Sequence, residues 1–425
     1  MSTKKFSLKA DKDQIFHRRA LAEALFERLQ DPVYKSGLFL SAPRRTGKTT
    51  FLKTDLIPML SGAGAIVIYA DLWVQRDINP AKVIVASIVD AILEESGAIT
   101  KAAKMLGLSK VTVGGLQMDL TVIGTQDGDS IANTLEKLSA AANKPIVMII
   151  DEAQHAQTTE EGRNTMFALK AARDSLNMGA GEGFRLIATG SNSDRLMTLV
   201  ASKDQAFFHA MQEHLPELDD TYLEWALENS PLKGKLSLSV LHDGFEILNR
   251  RPEPLQALLK KIDKDKEISP AQIDSVFVQM ARDSTESDRL KFINFMETID
   301  PLDAAMFRRM ALLGSKFTAF NSNAVEHYME LMRDFASVRI DIKTAPQKIS
   351  ADRAPTTSAM QNALERLRKS SLIWNSGRGQ WFIEDSQNTA WMLQEFNDKK
   401  RIGMARTAEK ASSKSIGKPE KPGAT

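Results

Sequence analysis

The chain has no cysteine among its 425 residues, which excludes disulfides, thiolate metal sites and thiol nucleophiles and is compatible with a reducing compartment. Histidine is scarce too. Of the six, only His209 and His214 lie close together, and with no other His or Cys nearby they read as surface or packing residues rather than metal ligands. No apolar run approaches the roughly 20 residues of a membrane helix. The opening Met1-Ser2-Thr3-Lys4-Lys5-Phe6-Ser7-Leu8-Lys9 lacks the apolar core of a signal peptide, so the expected location is the cytoplasm. A formal charge of +2 gives no global field toward nucleic acid. The imbalance is local: residues 397–425 hold eight Lys or Arg against three Asp or Glu.

The residues that carry chemistry begin at Ala42-Pro43-Arg44-Arg45-Thr46-Gly47-Lys48-Thr49-Thr50, directly after the apolar run Gly37-Leu38-Phe39-Leu40. A strand feeding such a turn and then a helix is the context of a phosphate-binding loop. Its backbone N–H groups cradle α- and β-phosphates, its lysine, here Lys48, reaches the β- and γ-phosphates, and the hydroxyl of Thr49 ligates Mg²⁺. The helix start adds its positive dipole end. Ala42 stands where the G-x-x-x-x-G-K-[ST] pattern has its first glycine. The competing reading of the short motif is a chance Gly-Lys-Thr turn between a strand and a helix.

Length allows two or three domains. From Asp11 to about Asp220, after an N-terminal extension of residues 1–10, helical patterns alternate with short apolar strands. That is the signature of an α/β domain with a mainly parallel sheet and flanking helices, the P-loop NTPase arrangement. The spacing predicts strands at Gly37–Ser41, Ala65–Ala70, Ile146–Ile150 and Phe184–Thr189, each covered on both faces. Helices are expected at Gln14–Leu29, Pro80–Glu95, Ile131–Ala142 and Thr165–Leu176, and a hairpin between Lys110 and Ile123. Residues 221–299 read as a small all-α domain, with amphipathic stretches at Lys235–Asn249 and Glu253–Ile262. Residues 300–396 give helices at Asp303–Leu313, Asn323–Phe335 and Thr357–Ser370, then two apolar stretches around Ser376-Gly377-Arg378-Gly379. Three helices and a hairpin are the order of a winged helix. The Ala, Lys, Ser and Pro of 397–425 suggest a basic disordered tail.

Two further strand ends complete a nucleotide constellation. Ile146-Val147-Met148-Ile149-Ile150-Asp151-Glu152-Ala153-Gln154 delivers two carboxylates as a buried strand emerges, which fits a Walker B site. Asp151 would hold Mg²⁺ and Glu152 would orient or polarise the attacking water. The next strand ends Ile187-Ala188-Thr189-Gly190-Ser191-Asn192. Ligands of open α/β sheets bind at the carboxyl ends of strands, so Thr189, Ser191 or Asn192 is a candidate sensor of water or γ-phosphate, or a capping turn before a helix near Asp194. Arg195 reads either as a sensing arginine or as a solvated helix residue.

These three motifs, followed by a helical lid and winged helix, resemble the AAA+-related P-loop ATPases of the STAND and archaeal-type group over roughly residues 11–396. The resemblance implies an ATP-driven, Mg²⁺-dependent switch. The adenine-side motif of that group, apolar-apolar-Gly-Arg-x-x-x-Leu, corresponds to Ile15-Phe16-His17-Arg18-Arg19-Ala20-Leu21, with His17 in place of its glycine. Its Gly-x-Pro lid motif resembles Asn249-Arg250-Arg251-Pro252-Glu253-Pro254-Leu255, which implies that Arg250 or Arg251 reaches the phosphates. Alternatively Pro252 simply begins a helix behind a basic turn.

In Thr357–Ser370, Met360, Ala363, Leu364 and Leu367 repeat at helical spacing, leaving Arg366, Arg368 and Lys369 outside. With Arg378 they are candidate phosphate contacts to duplex DNA, or a solvated face on a protein-binding module. Two function classes follow. The first is an ATP-hydrolysing switch coupling nucleotide state to the winged helix, with a protein partner or homo-oligomer as further expectations and no membrane partner. The second is an ATP-controlled DNA-binding regulator resembling transposition or initiator loaders. A small-molecule kinase lacks any acceptor-binding signature here.

Overall fold

The computed structural model describes residues 15–73, 78–97, 110–120, 123–124, 130–180, 182–191, 196–201, 203–339, 354–375, 380–395 and 397. Asn192, Asp194, Arg195, Arg378 and nearly all of the basic tail lie outside the described residues. The chain divides into two compact units, residues 1–285 and 286–425.

In the first unit, α1 (Arg19–Gln30) buries Ala22, Leu25 and Leu29, one stripe at helical spacing. It starts five residues later than the apolar pattern from Gln14 predicts. Residues 15–18 are held out of the helix because the Asp55 carboxylate accepts the Arg18 N–H at 3.2 Å and bonds the His17 ring at 2.6 Å. A 3₁₀ turn, Pro32–Ser36, capped by the Asp31 side chain, leads into β1 (Leu38–Ser41). Beyond the loop of residues 42–47, α2 (Lys48–Phe51) passes through a widened π turn, Leu52–Leu56, into α3 (Ile57–Gly62). Pro58 explains the widening. It has no N–H for the carbonyl four residues back, and its ring would clash there in a regular helix.

The alternation continues with β2 (Ile66–Asp71) and α4 (Pro80–Glu95), the latter opened by the Asn79 side chain accepting the Ala81 N–H. The hairpin β3 (Lys110–Val113) and β4 (Leu116–Asp119) follows, then α5 (Ile131–Ala142), β5 (Ile146–Asp151), a 3₁₀ turn at Ala153–Thr158 and α6 (Glu160–Ser175). The sheet ends with β6 (Phe184–Gly190) and β7 (Met211–His214). Its order is β2-β5-β6-β1-β7, every pair parallel. Sequence reasoning missed β7. Its exposure alternates and, among the described residues, it has a neighbour only in β1, so Met-Gln-Glu-His does not read as a buried run. The helices α7 (Asp220–Glu228), α8 (Leu238–Ile247) and α9 (Pro252–Lys264) pack with the start of α10 (Ile273–Thr298) around Leu223, Phe245, Leu259 and Phe277.

Parallel pairing aligns the strand ends. Asp71 is in register with Asp151, Leu40 with Thr189 and Ser41 with Gly190, so β1, β2, β5 and β6 deliver their last residues to one edge of the sheet. That edge carries the site.

The second unit contains α11 (Pro301–Leu313), α12 (Ser322–Arg339), α13 (Thr357–Lys369) and an antiparallel pair, β8 (Ile373–Asn375) with β9 (Trp381–Ile383). Three helices and then a hairpin appear in the expected order. α11 is central, buried along Leu302–Ala311, and packs on Tyr328, Leu364 and Leu367. The stripe of Met360, Ala363, Leu364 and Leu367 faces this core, as its spacing predicts.

The hairpin between β3 and β4 depends on Gly114. Its φ is +52°, and a Cβ there would lie 1.8 Å from the Ala141 carbonyl oxygen of α5, whereas Gly115 at φ +83° has open space around it. Gly115→Ala is therefore expected to lose only the left-handed backbone penalty of about 1 kcal/mol. Gly114→Ala adds a backbone clash and is expected to lose at least about 2 kcal/mol more. Urea unfolding of the two variants side by side checks this, and equal losses would contradict it.

Candidate active site

The loop after β1 is shaped by its backbone. Arg45 at φ +61° and Gly47 at φ +87° are both left-handed, the alternation that turns successive N–H groups to one side as an anion nest. The Thr46 hydroxyl closes the loop by donating to the Pro43 carbonyl at 2.8 Å. Ala42 has no positive φ. Its methyl group is buried with Leu38, Leu40, Phe51 and Leu52, so this position demands no glycine.

Lys48, at the first turn of α2, lies buried with its Nζ 2.6 Å from Glu152 Oε1 and 3.1 Å from Asp151 Oδ1. Thr49 Oγ1 donates to Asp151 Oδ2 at 2.7 Å. On β6, the strand between β5 and β1, the Thr189 hydroxyl donates to Asp151 Oδ1. Only small side chains at the end of β6 leave room for Lys48 to meet carboxylates two strands away. At Gly190, a Cβ would come within 2.7 Å of Gln154 Oε1 and 3.1 Å of Leu196 Cδ1.

Glu152 adopts a left-handed backbone, φ +55° and ψ +44°, unfavourable for a residue with a Cβ and the kind of strain that gathers at functional positions. Its carboxylate is fixed on several sides. Lys48 holds Oε1, while Oε2 accepts from Gln154 Nε2 at 2.6 Å and Ser191 Oγ at 2.9 Å. Arg44 in turn donates to Ser191 Oγ at 3.3 Å and lies 4.0 Å over the Trp73 ring.

Burial opposes ionisation of Asp151, yet the Lys48 ammonium and the hydroxyls of Thr189 and Thr49 outweigh it and hold the pKa below the ordinary carboxylate value. At Glu152 burial again opposes ionisation, and Lys48, aided by Gln154, outweighs both it and the neighbouring Asp151 charge. Both carboxylates are thus held ionised at neutral pH. Thr49 and Asp151 present a hydroxyl and an ionised carboxylate side by side, hard oxygen donors that suit Mg²⁺. Among the described residues no cluster of three or more His, Asp or Glu forms a separate metal site.

Two cavities meet at the loop. One, of about 490 Å³, is lined by Arg44, Gly47, Lys48, Thr49, Trp73 and Glu152 among others. The second, of about 500 Å³, is mainly apolar, lined by Ile15, Phe16, Tyr222, Trp225 and Gln256 among others. They share Gly47, Thr50, Pro252 and Glu253. In the second, Phe16 packs edge-on against Tyr222 with ring centroids 5.4 Å apart and lies 5.6 Å from Trp225.

The loop residues Pro43, Arg44, Arg45, Gly47, Lys48, Thr49 and Thr50 and the strand-end residue Glu152 therefore face one cavity, with Asp151, Thr189 and Ser191 in the network behind it. Arg250 and Arg251 do not line either cavity. Arg250 pairs with Glu246 and Glu217 on the exposed side of α8, and Arg251 Nε donates to the Leu248 carbonyl. At the start of α9, Pro252 and Glu253 line both.

Four participants escaped the sequence. Tyr69 on β2 donates to Asp151 Oδ2 at 3.1 Å. Burial and then the charges of Asp151 and Asp71 push its own pKa up, so it stays a donor. Its signal was a tyrosine two residues before the strand-ending Asp71. Gln154 lay inside the acidic motif, but only the left-handed turn at Glu152 brings it back to that side chain. Trp73 and Asp55 carried no signal at all.

In the second unit, Arg366 forks onto Asp303 at 2.8 and 2.5 Å, and Arg368 pairs with Glu365 at 2.6 Å. Two of the three cations of α13 are thus matched by carboxylates of their own unit.

No protein-family model matches the chain, and comparison with curated proteins found no match. Among solved structures it is similar to the Aeropyrum pernix ORC1 protein in complex with DNA, at 14% identity and TM-score 0.43, covering 92% of this chain and 95% of that one. It is also similar to the Aeropyrum pernix ORC2 protein in its ADP form, at 14% identity and TM-score 0.45, covering 91% and 93%. For AMPPCP-bound DnaA from Aquifex aeolicus the figures are 12%, 0.35, 84% and 90%.

Removing Lys48 leaves two buried carboxylates unpaired, at an expected loss of about 3–5 kcal/mol near pH 7. The sign with pH follows from the shifts. In the native chain both pKa values are depressed, so their stabilisation is present above the unfolded value of about 4 and lost below it. In Lys48→Ala burial is no longer opposed by the ammonium and raises them, so protonation relieves the variant as pH falls. Urea unfolding at pH 7 and pH 4.5 should give a gap that narrows in acid. An unchanged gap would contradict the pairing.

Proposed function

We propose that this chain binds ATP with Mg²⁺ and hydrolyses it, as a switch whose nucleotide state is passed to the helix-and-hairpin unit. The observation that carries the reading is the convergence of Lys48, Thr49, Asp151, Glu152 and Thr189 on the loop between β1 and α2. They come from three separate local signals, the loop after β1 and the ends of β5 and β6, and the sheet order brings these to one edge.

In this reading the phosphates take the place of the carboxylates as partners of Lys48, which moves from Glu152 to oxygens of the β- and γ-phosphates. Backbone N–H groups of residues 44–48 and the dipole of the helical run beginning at Lys48 receive the same charge. Mg²⁺, held through Thr49 and Asp151, would neutralise charge on the phosphate oxygens. Glu152, released by Lys48 yet still held by Gln154 and Ser191, orients a water for attack on the γ-phosphorus. The new P–O bond forms as the bond to the departing ADP breaks. Thr189 keeps Asp151 in place, and Ser191 touches both Glu152 and Arg44, a link between the water-orienting group and the loop. The base enters the aromatic cavity of Phe16, Tyr222 and Trp225, whose apolar lining suits a planar ring. Pro252 and Glu253 at the start of α9 border both cavities and supply the lid contact. The order of α11, α12, α13, β8 and β9 supports a winged-helix module as the part that reads the nucleotide state.

The two roles separate by mutation. Lys48→Ala is expected to abolish ATP binding in calorimetry. Glu152→Gln is expected to keep the affinity within a few-fold while lowering phosphate release at least about 100-fold. Unaltered ATP affinity in Lys48→Ala, or normal turnover in Glu152→Gln, would overturn the assignment.

A further inference from the structure

His17, Arg18 and Asp55 form a joint that the nucleotide chemistry does not use. Asp55 sits in the π turn Leu52–Leu56, one turn beyond the phosphate loop, and is buried at 6% exposure. Both of its oxygens are engaged. Oδ1 lies 2.6 Å from His17 Nδ1, and Oδ2 accepts the Arg18 N–H at 3.2 Å and the Thr54 hydroxyl at 3.1 Å. A carboxylate only accepts, so His17 bears its proton on Nδ1.

The segment held in this way is the wall of the aromatic cavity. Phe16 packs against both Tyr222 and Trp225, which also stack on each other, and Ile15, Phe16 and Arg18 all line the cavity. Arg18 extends the joint in two directions. Its guanidinium donates to the Pro216 carbonyl at 2.6 Å and lies 5.6 Å over the Phe51 ring of α2.

We propose that Asp55 is a positioning residue that ties the base-binding wall, through His17 and Arg18, to the helix that grips the phosphates. The inference rests on the nucleotide reading above and adds to it a coupling between the two cavities. Asp55 lines neither cavity, so it acts through Phe16 rather than on a ligand.

The test compares Mg-ATP with inorganic tripolyphosphate, which presents phosphates and no base, by calorimetry on the full chain. Asp55→Asn should weaken ATP about tenfold, the size of one lost charge-assisted hydrogen bond, and leave tripolyphosphate within about twofold. His17→Ala, at a half-exposed side chain, should give the same selective loss at smaller size. The double variant should lose no more than Asp55→Asn alone, because both changes cut one joint. Should Asp55→Asn fail to fold, His17→Ala decides. Equal weakening of both ligands means a general disturbance of the phosphate helix and overturns the proposal, as does no weakening of either. A native chain that binds tripolyphosphate as tightly as ATP also overturns it while leaving the phosphate site standing. A native chain that binds neither overturns the nucleotide reading itself.

Discussion

One buried ammonium organises this protein's sheet edge. Lys48 stands between Asp151 and Glu152 with little solvent to share its charge, and two ionised carboxylates that close together are tolerable only because it is there. The same fact makes the arrangement exchangeable. Whatever draws Lys48 away must itself be anionic and must leave the carboxylates other partners. Asp151 keeps Thr49, Thr189 and Tyr69, and Glu152 keeps Gln154 and Ser191. A triphosphate with its divalent cation, as proposed above, satisfies both conditions.

The sheet order is what makes this network possible. Lys48 follows β1 and the carboxylates follow β5, with β6 between them. A bulky residue at the end of β6 would close the gap, and Thr189-Gly190-Ser191 keeps it open while contributing hydroxyls to both carboxylates. The left-handed backbone at Glu152 belongs to the same design. It turns the side chain back over the loop, where three hydrogen-bonding neighbours offset the strain.

Much of this was legible beforehand, for physical reasons. β1, β5 and β6 are covered on both faces, so their apolar runs stand out, and the loop and acidic motifs are contiguous in sequence. What escaped depends on distance along the chain or on exceptions to local pattern. β7 is a short edge strand without an apolar signature. Tyr69 and Gln154 reach Asp151 and Glu152 only through strand register and a positive φ. The late start of α1 follows from Asp55, 37 residues downstream of Arg18, which overrides a good helical pattern. Among the cations of α13, the pairing of Arg366 with Asp303 on α11 is a tertiary outcome that charge counting cannot see, whereas Arg368 pairs locally with Glu365 three residues earlier.

The most direct measurement is the thermal unfolding of the full chain with Mg²⁺ and increasing ATP at neutral pH. A ligand that binds only the folded state stabilises it by RT ln(1 + [L]/Kd). The account predicts a transition temperature that climbs with the logarithm of ATP concentration once the site is saturated. A transition that stays fixed up to millimolar ATP would contradict it.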